Sequence, residues 1–447
     1  MAVPSIFLGV TALGAVGVLL TYRPLRREPL SIPSFVVGWL VGEVALQNLA
    51  WQIAATVIFA VFGAFDGWAG WLGLAIALVS WAGLVGLALS SRRSTRVVQA
   101  ALDQVRHPAF PVPTESDGPG WNSFWRLTRA IPLKGRAVQS VKNIDYWGDG
   151  DGDGEGEGEG ECHHRLDVYR SKLTPPTGAP VMVHIHGGAW VMGDKREQGK
   201  PMMYELVARG WVCVAVNYRL SPKASWPAHI VDVKRAVAWV KANIADYGGD
   251  ASFVSVSGGS AGGQLAALLA LTPGDPAFQP GFEEADTSVD ACIPSYGVMD
   301  LTGADEGTTH YGPELLKLLE RRVMKTSASD DAALFRAASP TYRVHKEAPP
   351  FFVLHGRNDT LVPVFVARTF VAALRAVSDA PVAYAELPLA QHAFDVLASL
   401  RCQAATAGSV AFLEAARARA HSQCAGQNRT QHAPTDPIPG NDRLPLQ

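Results

Sequence analysis

The sequence predicts an α/β protein, a mostly parallel sheet flanked by helices, preceded by an N-terminal transmembrane helical region. Three observations predict it. Short β-branched apolar runs alternate with helical stretches through the second half of the chain, the pattern of a parallel sheet covered on both faces. Three long apolar runs fill the first 90 residues. Finally, hydrophobic residues make up 48% of the 447 residues and charged residues only 18%, below the roughly 25% of ordinary soluble domains.

The apolar runs cover residues 5–20, 35–62 and 68–89. The third is 22 residues without a charge, about 33 Å as a helix and enough to cross a bilayer. The second is longer but contains Glu43, Gln47, Asn48 and Gln52. Glu43 reads as a helix–helix contact near an interface rather than part of a transport path. The first run is short for a span and lacks the basic leader of a cleaved signal. Arg23, Arg26 and Arg27 precede the second run, Arg92, Arg93 and Arg96 follow the third, and the connection around 63–67 has no Lys or Arg. Runs two and three therefore form a hairpin. The chain is then expected to be a multi-pass membrane protein, and the positive-inside bias puts everything after residue 91 on the cytoplasmic face.

Residues 1–93 are thus the anchoring region, and 94–137 a juxtamembrane linker with helical character at 121–130. Residues 138–420 are the α/β domain, and 421–447 a disordered polar tail. Strands are expected at 138–147, 166–170, 181–185, 212–216, 253–256, 291–296, 351–354 and 382–386. Helices are expected at 202–209, 230–245, 261–271, 363–377 and 394–420. Within 148–161 glycine alternates with acids from Asp149 to Glu161, a solvated hairpin extension without the ligand pattern of a calcium loop. Residues 298–350 make a long connection in which Leu315, Leu316, Leu318, Leu319 and Val323 form a helical stripe, either a core helix or, as the family resemblance given below implies, a cap formed together with part of 97–137.

Net charge is −2, which offers no basic surface to nucleic acid. Cys162, Cys213, Cys292, Cys402 and Cys424 are scattered and odd in number, so neither a disulfide framework nor a metal site is expected. Cys162-His163-His164 lacks further ligands at suitable spacing.

Leaving strand 253–256, the chain reads Gly258-Gly259-Ser260-Ala261-Gly262-Gly263 and enters an apolar helix. This G-x-S-x-G between strand and helix is a tight elbow that lifts a serine hydroxyl above the sheet, and it makes Ser260 the expected nucleophile. No Lys-Ser/Thr follows, as a phosphate loop requires. His186-Gly187-Gly188-Ala189-Trp190 follows strand 181–185. Ester cleavage builds negative charge on the carbonyl oxygen, and exposed backbone amides stabilise it. Gly187, Gly188 and Ala261 are the expected oxyanion donors, and His186 braces the loop. A nucleophilic serine needs a base and the base an orienting acid, in the order Ser, acid, His. Asp359 after strand 351–354 and His392 after strand 382–386 fill those places. His355 and Asp395 read as structural.

With these motifs the chain resembles the hormone-sensitive-lipase-like branch of the α/β-hydrolase superfamily over residues 138–420, and within it bacterial membrane-anchored carboxylesterases and lipases. The stretches Asn217-Tyr218-Arg219-Leu220-Ser221-Pro222 and Trp226-Pro227 are also similar to the family. Two departures stand out: Ala189 where the family often has a third glycine, and Gly259 where it often has an acid before the nucleophile. The resemblance implies an α/β-hydrolase fold with Ser260, Asp359 and His392 as the triad. The expected function is a membrane-anchored serine carboxylic ester hydrolase that forms an acyl-enzyme, takes a small or lipid-like apolar ester and needs no cofactor. An amidase, formamidase or acyltransferase of the same fold, or a silent binding protein, are the alternatives.

Overall fold

In the computed structural model, residues 2–27, 29–113, 135, 137–148, 163–173, 176–305, 308–309 and 313–431 are described. The expected helix at 121–130, nearly all of the acidic glycine loop and residues 432–447 of the expected tail lie outside them.

Four helices open the chain: α1 (Ala2–Tyr22), α2 (Ser31–Glu43), α3 (Ala45–Val61) and α4 (Trp68–Asp103). α1 and α4 are each long and apolar enough to cross a membrane. The second apolar run, expected as one continuous helix, is broken at Val44, where α2 and α3 meet at 87°. α1, α3 and α4 pack against one another. α4 also runs through the expected boundary at residue 93 without a break, since nothing before Pro108 interrupts helical geometry. Its last turns enter the α/β domain, where Val98, Ala101 and Leu102 join the core.

The strands are β1 (Val138–Asp145), β2 (Arg165–Ser171), β3 (Ala179–Ile185), β4 (Val212–Val216), β5 (Gly249–Gly259), β6 (Ala291–Ser295), a small β7/β8 pair (Ala304–Asp305 with Thr308–Thr309), β9 (Phe351–Gly356) and β10 (Val382–Leu387). The main sheet has eight strands in the order β1-β2-β4-β3-β5-β6-β9-β10. β2 pairs antiparallel with β1 and β4, and the pairs from β4 through β10 are parallel. β3 and β4 are buried along their whole length, as expected of strands covered on both faces, and so read as unbroken apolar runs. Two apolar clusters fill the two faces. Leu319 and Val323 belong to the first, and Leu315 and Leu318 pack against it. That favours a core role for the stripe over a cap. The last helix runs Leu400–Gln431, starting later and ending beyond the expected 394–420.

Register brings the ends of the parallel strands to one edge. Ile185 pairs with Gly258, Gly259 with Ser295, Ser295 with Leu354 and Gly356 with Leu387. The loops carrying His186, Ser260, Asp359 and His392 therefore leave the same edge, where α/β sheets collect their reactive groups.

Candidate active site

The turn after β5 is under local strain. Ser260 has φ 57° and ψ −122° and stands directly before the helix Ala261–Leu271. Such a conformation is costly for a residue with a side chain and persists only where surrounding structure enforces it. The enforcement is steric. A Cβ on Gly258 would sit 2.2 Å from the carbonyl oxygen of Gly262, and one on Gly262 would sit 2.2 Å from that of Ile185. The Ser260 amide donates to the Ser295 carbonyl at 3.0 Å.

Asp359 and His392 come together. His392 Nδ1 lies 2.7 Å from Asp359 Oδ2 in a buried pair. The other carboxylate oxygen accepts the amides of Leu361 and Val362 at 2.9 and 2.8 Å. Burial pushes the Asp359 carboxyl up, but the His392 charge and hydrogen bonds from His355 and His392 outweigh it and hold the group well below the usual carboxylate range. With Nδ1 held by a carboxylate, the Nε2 of His392 is the ring nitrogen left to exchange a proton with another group. Among the described residues no hydrogen bond joins the Ser260 hydroxyl to His392. In free enzymes such contacts are often long and tighten with substrate. What links the two is Tyr296: its ring centroid is 4.6 Å from that of His392, and a Cβ on Gly259 would lie 2.5 Å from its hydroxyl.

The glycine loop differs from expectation at one residue. The Gly187 amide donates to Gln198 Oε1 at 2.8 Å, so it is already committed. Gly188, Ala189 and Trp190 follow with φ of 124°, 52° and 61°. Their unusual backbone is held from behind. His186 Nδ1 lies 2.8 Å from the Gly187 carbonyl oxygen, its ring stacks on Tyr218 at 4.5 Å, and the Tyr218 hydroxyl donates to the His186 carbonyl at 3.0 Å. Burial lowers His186 to about 4, so it is neutral at pH 7 and braces without charge.

A family model described as BD-FAE matches residues 166–374. The chain is 44% identical over 438 residues to a probable carboxylic ester hydrolase, LipM, of Mycobacterium tuberculosis, covering 96% of this chain and 95% of the relative. It is 42% identical to the esterase LipQ of the same organism, covering 84% and 83%. The chain belongs to the carboxylic ester hydrolases of the α/β-hydrolase superfamily, in the hormone-sensitive-lipase-like branch. The fold also matches a truncated carbohydrate esterase from gut microbiota, with TM-score 0.53 and 23% identity over 64% of this chain and 99% of that one.

Against that family pattern one of the two departures has a physical cause, while nothing in the structure explains alanine at position 189. The acid missing at Gly259 would collide with Tyr296. Tyr296 donates its hydroxyl to Asp395, the carboxylate that sequence reasoning set aside as structural. His355, the other residue set aside, holds the Val362 carbonyl at 2.9 Å and stands 3.4 Å from Asp359. The family stretch at Asn217 to Pro222 supports the glycine loop through Tyr218 and through the Ser221 amide, which donates to the Trp190 carbonyl at 2.8 Å; beside it Asn217 accepts the Lys195 amide at 2.7 Å and donates to Asp194 at 3.0 Å, while Arg219 makes a forked pair with buried Asp232. His164, considered for metal, stacks on Trp147 at 4.1 Å.

Sequence reasoning missed four contributors. Gln198 follows no motif, and only the fold brings it to Gly187. Tyr296 follows β6, a strand end to which no role was given. Phe35 and Trp39, read only as residues of a membrane span, reach the loop that carries His392. The Phe35 ring is edge-on to His392 at 6.1 Å, and Trp39 Nε1 donates to the Ala393 carbonyl at 2.9 Å.

Proposed function

We propose that the protein is a membrane-tethered serine esterase working through an acyl-enzyme. Ser260 Oγ attacks the ester carbonyl carbon while His392 Nε2 takes its proton, and Asp359 holds the imidazolium through Nδ1. The oxygen that becomes negative is received by the amides of Gly188, Ala189 and Ala261; Gly187 would join them only by releasing Gln198. Collapse breaks the ester bond, and the alcohol leaves with the proton from His392. Water then attacks the acyl-enzyme, His392 takes its proton, and the acid departs as Ser260 is reprotonated. No cofactor enters these steps.

The observation that carries this reading is the buried 2.7 Å Asp359–His392 pair at the same sheet edge as the strained serine turn. Membrane attachment is supported by two helices of spanning length, and a cytoplasmic catalytic face by the arginines at 23, 26, 27, 92, 93 and 96. The test is covalent labelling by a fluorophosphonate together with hydrolysis of acyl esters, for the native chain and Ser260→Ala. Loss of both in the variant is expected. Equal activity in the two proteins would remove Ser260 from the mechanism.

A further inference from the structure

α2 touches both catalytic loops. At one end the Ser31 carbonyl accepts the Thr360 hydroxyl at 3.3 Å, one residue beyond Asp359. Further along, a Cβ on Gly38 would stand 3.4 Å from the Gln391 side chain, just before His392, and Trp39 and Phe35 hold the residues around it. This approach is possible because the buried side of α2, ahead of Glu43 at its end, is made of Ser31, Ser34, Gly38 and Gly42, small residues that let two backbones come close.

The opposite side is apolar and uncovered. Ile32, Val36 and Leu40 recur every fourth residue, in one stripe along the helix, and are 60%, 43% and 44% exposed. α2 has no charged residue before Glu43, and Glu43 is turned inward onto Arg401. The stripe continues into the exposed apolar residues of α3, among them Leu46, Ile53 and Val57, and α3 leaves α2 at 87°. If α3 runs along the bilayer normal, α2 lies in the membrane plane.

We propose that α2 is an interfacial helix whose outer stripe rests in the acyl-chain layer and whose inner edge, Phe35 and Trp39, borders the catalytic histidine. This inference rests on the membrane-tethered esterase reading above. Its consequence is a route: long-chain esters dissolved in the bilayer reach Ser260 along α2 without first entering water. The N-terminal region is then part of the substrate site as well as a tether. A helix of this kind gains its binding from the apolar area it immerses, so a charge in the stripe lifts it away from the lipid.

The experiment uses the full chain in phosphatidylcholine–phosphatidylglycerol vesicles, with p-nitrophenyl acetate as the water-soluble ester and p-nitrophenyl palmitate dissolved in the lipid. Val36→Asp should lower palmitate turnover about tenfold or more while acetate turnover stays within about twofold, because only the first substrate needs the immersed helix. Equal loss on both esters, or no loss on either, overturns the route.

A second measurement does not depend on activity. Cys213, Cys292 and Cys402 are buried, so with Cys162→Ser and Cys424→Ser in place a spin label at Val36→Cys reports its own surroundings. Stronger relaxation by oxygen than by a water-soluble nickel chelate is expected, and the reverse overturns the placement of α2. Should the label be lipid-exposed while the unmodified chain cleaves neither ester, the esterase reading fails, the route falls with it, and the position of α2 stands.

Discussion

Replacing Asp359 by Asn keeps the shape of the side chain but removes the charge that orients His392. The amide also favours the wrong imidazole tautomer, and in a Ser-His-Asp triad, the role proposed for these residues, that substitution lowers kcat by on the order of 10⁴-fold. Asp359→Asn should show a loss of that size in steady-state kinetics with little change in KM, and a KM effect alone would mean that Asp359 acts on binding. Other residues set a pH limit on stability. Burial lowers His184 to about 3 and His186 and His229 to about 4. The unfolded chain binds protons at these positions near pH 6.5, and the folded chain does not. Stability from this source is therefore fully present above pH ~6.5 and falls as pH drops towards 4. The limiting slope is about 1.4 kcal/mol per pH unit for each histidine. Denaturation followed between pH 8 and pH 5 should show the decline already at pH 6, before carboxylates titrate. A flat profile over that range would place these side chains in contact with water.

The serine elbow is the element whose sequence and geometry agree most closely. Gly262→Ala puts a methyl group 2.2 Å from the Ile185 carbonyl, a backbone atom that cannot rotate away, so β3 and the helix Ala261–Leu271 must separate. The expected outcome is a lower melting temperature and loss of esterase activity together. A folded, fully active variant would show that the turn is looser than its geometry implies. Elements of this kind were legible in the sequence because their information is local. G-x-S-x-G encodes one strand-to-helix turn, and β-branched runs encode strands without reference to distant residues. The glycine loop was legible only in part: its position after β3 follows from the pattern, but Gln198 reaches Gly187 only in the folded chain. The break at Val44 was hidden for a related reason. Residues 35–62 carry a single charge and no proline, so hydropathy sees one span, whereas the 87° turn is imposed by what α2 packs against.

At the scale of the molecule, the N-terminal helices and the hydrolase are joined through a buried charge cluster. Arg401 Nη1 donates to Glu43 Oε1 at 2.9 Å and to the Gly42 carbonyl at 3.0 Å, its Nε reaches the Pro388 carbonyl at 3.2 Å, and Ser399 donates to Glu43 Oε2 at 2.6 Å. Glu43, expected at a helix–helix contact, pairs with the final helix of the hydrolase, 358 residues away in sequence. Pro388 lies four residues before His392, so the same guanidinium ties the bend between α2 and α3 to the loop of the proposed base. Leu389 of that loop also packs against the cluster formed by Val18, Ala45, Leu84 and Leu87. Removing one partner of a buried pair leaves the other charge without compensation and costs about 3–5 kcal/mol, whereas replacing both with apolar groups of similar volume is often neutral. Glu43→Ala should therefore lower the unfolding midpoint of the full chain in detergent, and Glu43→Met combined with Arg401→Met should recover most of it. If the contact only stabilises, the double variant regains activity along with its midpoint. If it also holds the His392 loop in register with α2, the double variant melts normally yet stays slow on esters, because a thioether in place of the guanidinium has no N–H to donate to the Pro388 carbonyl.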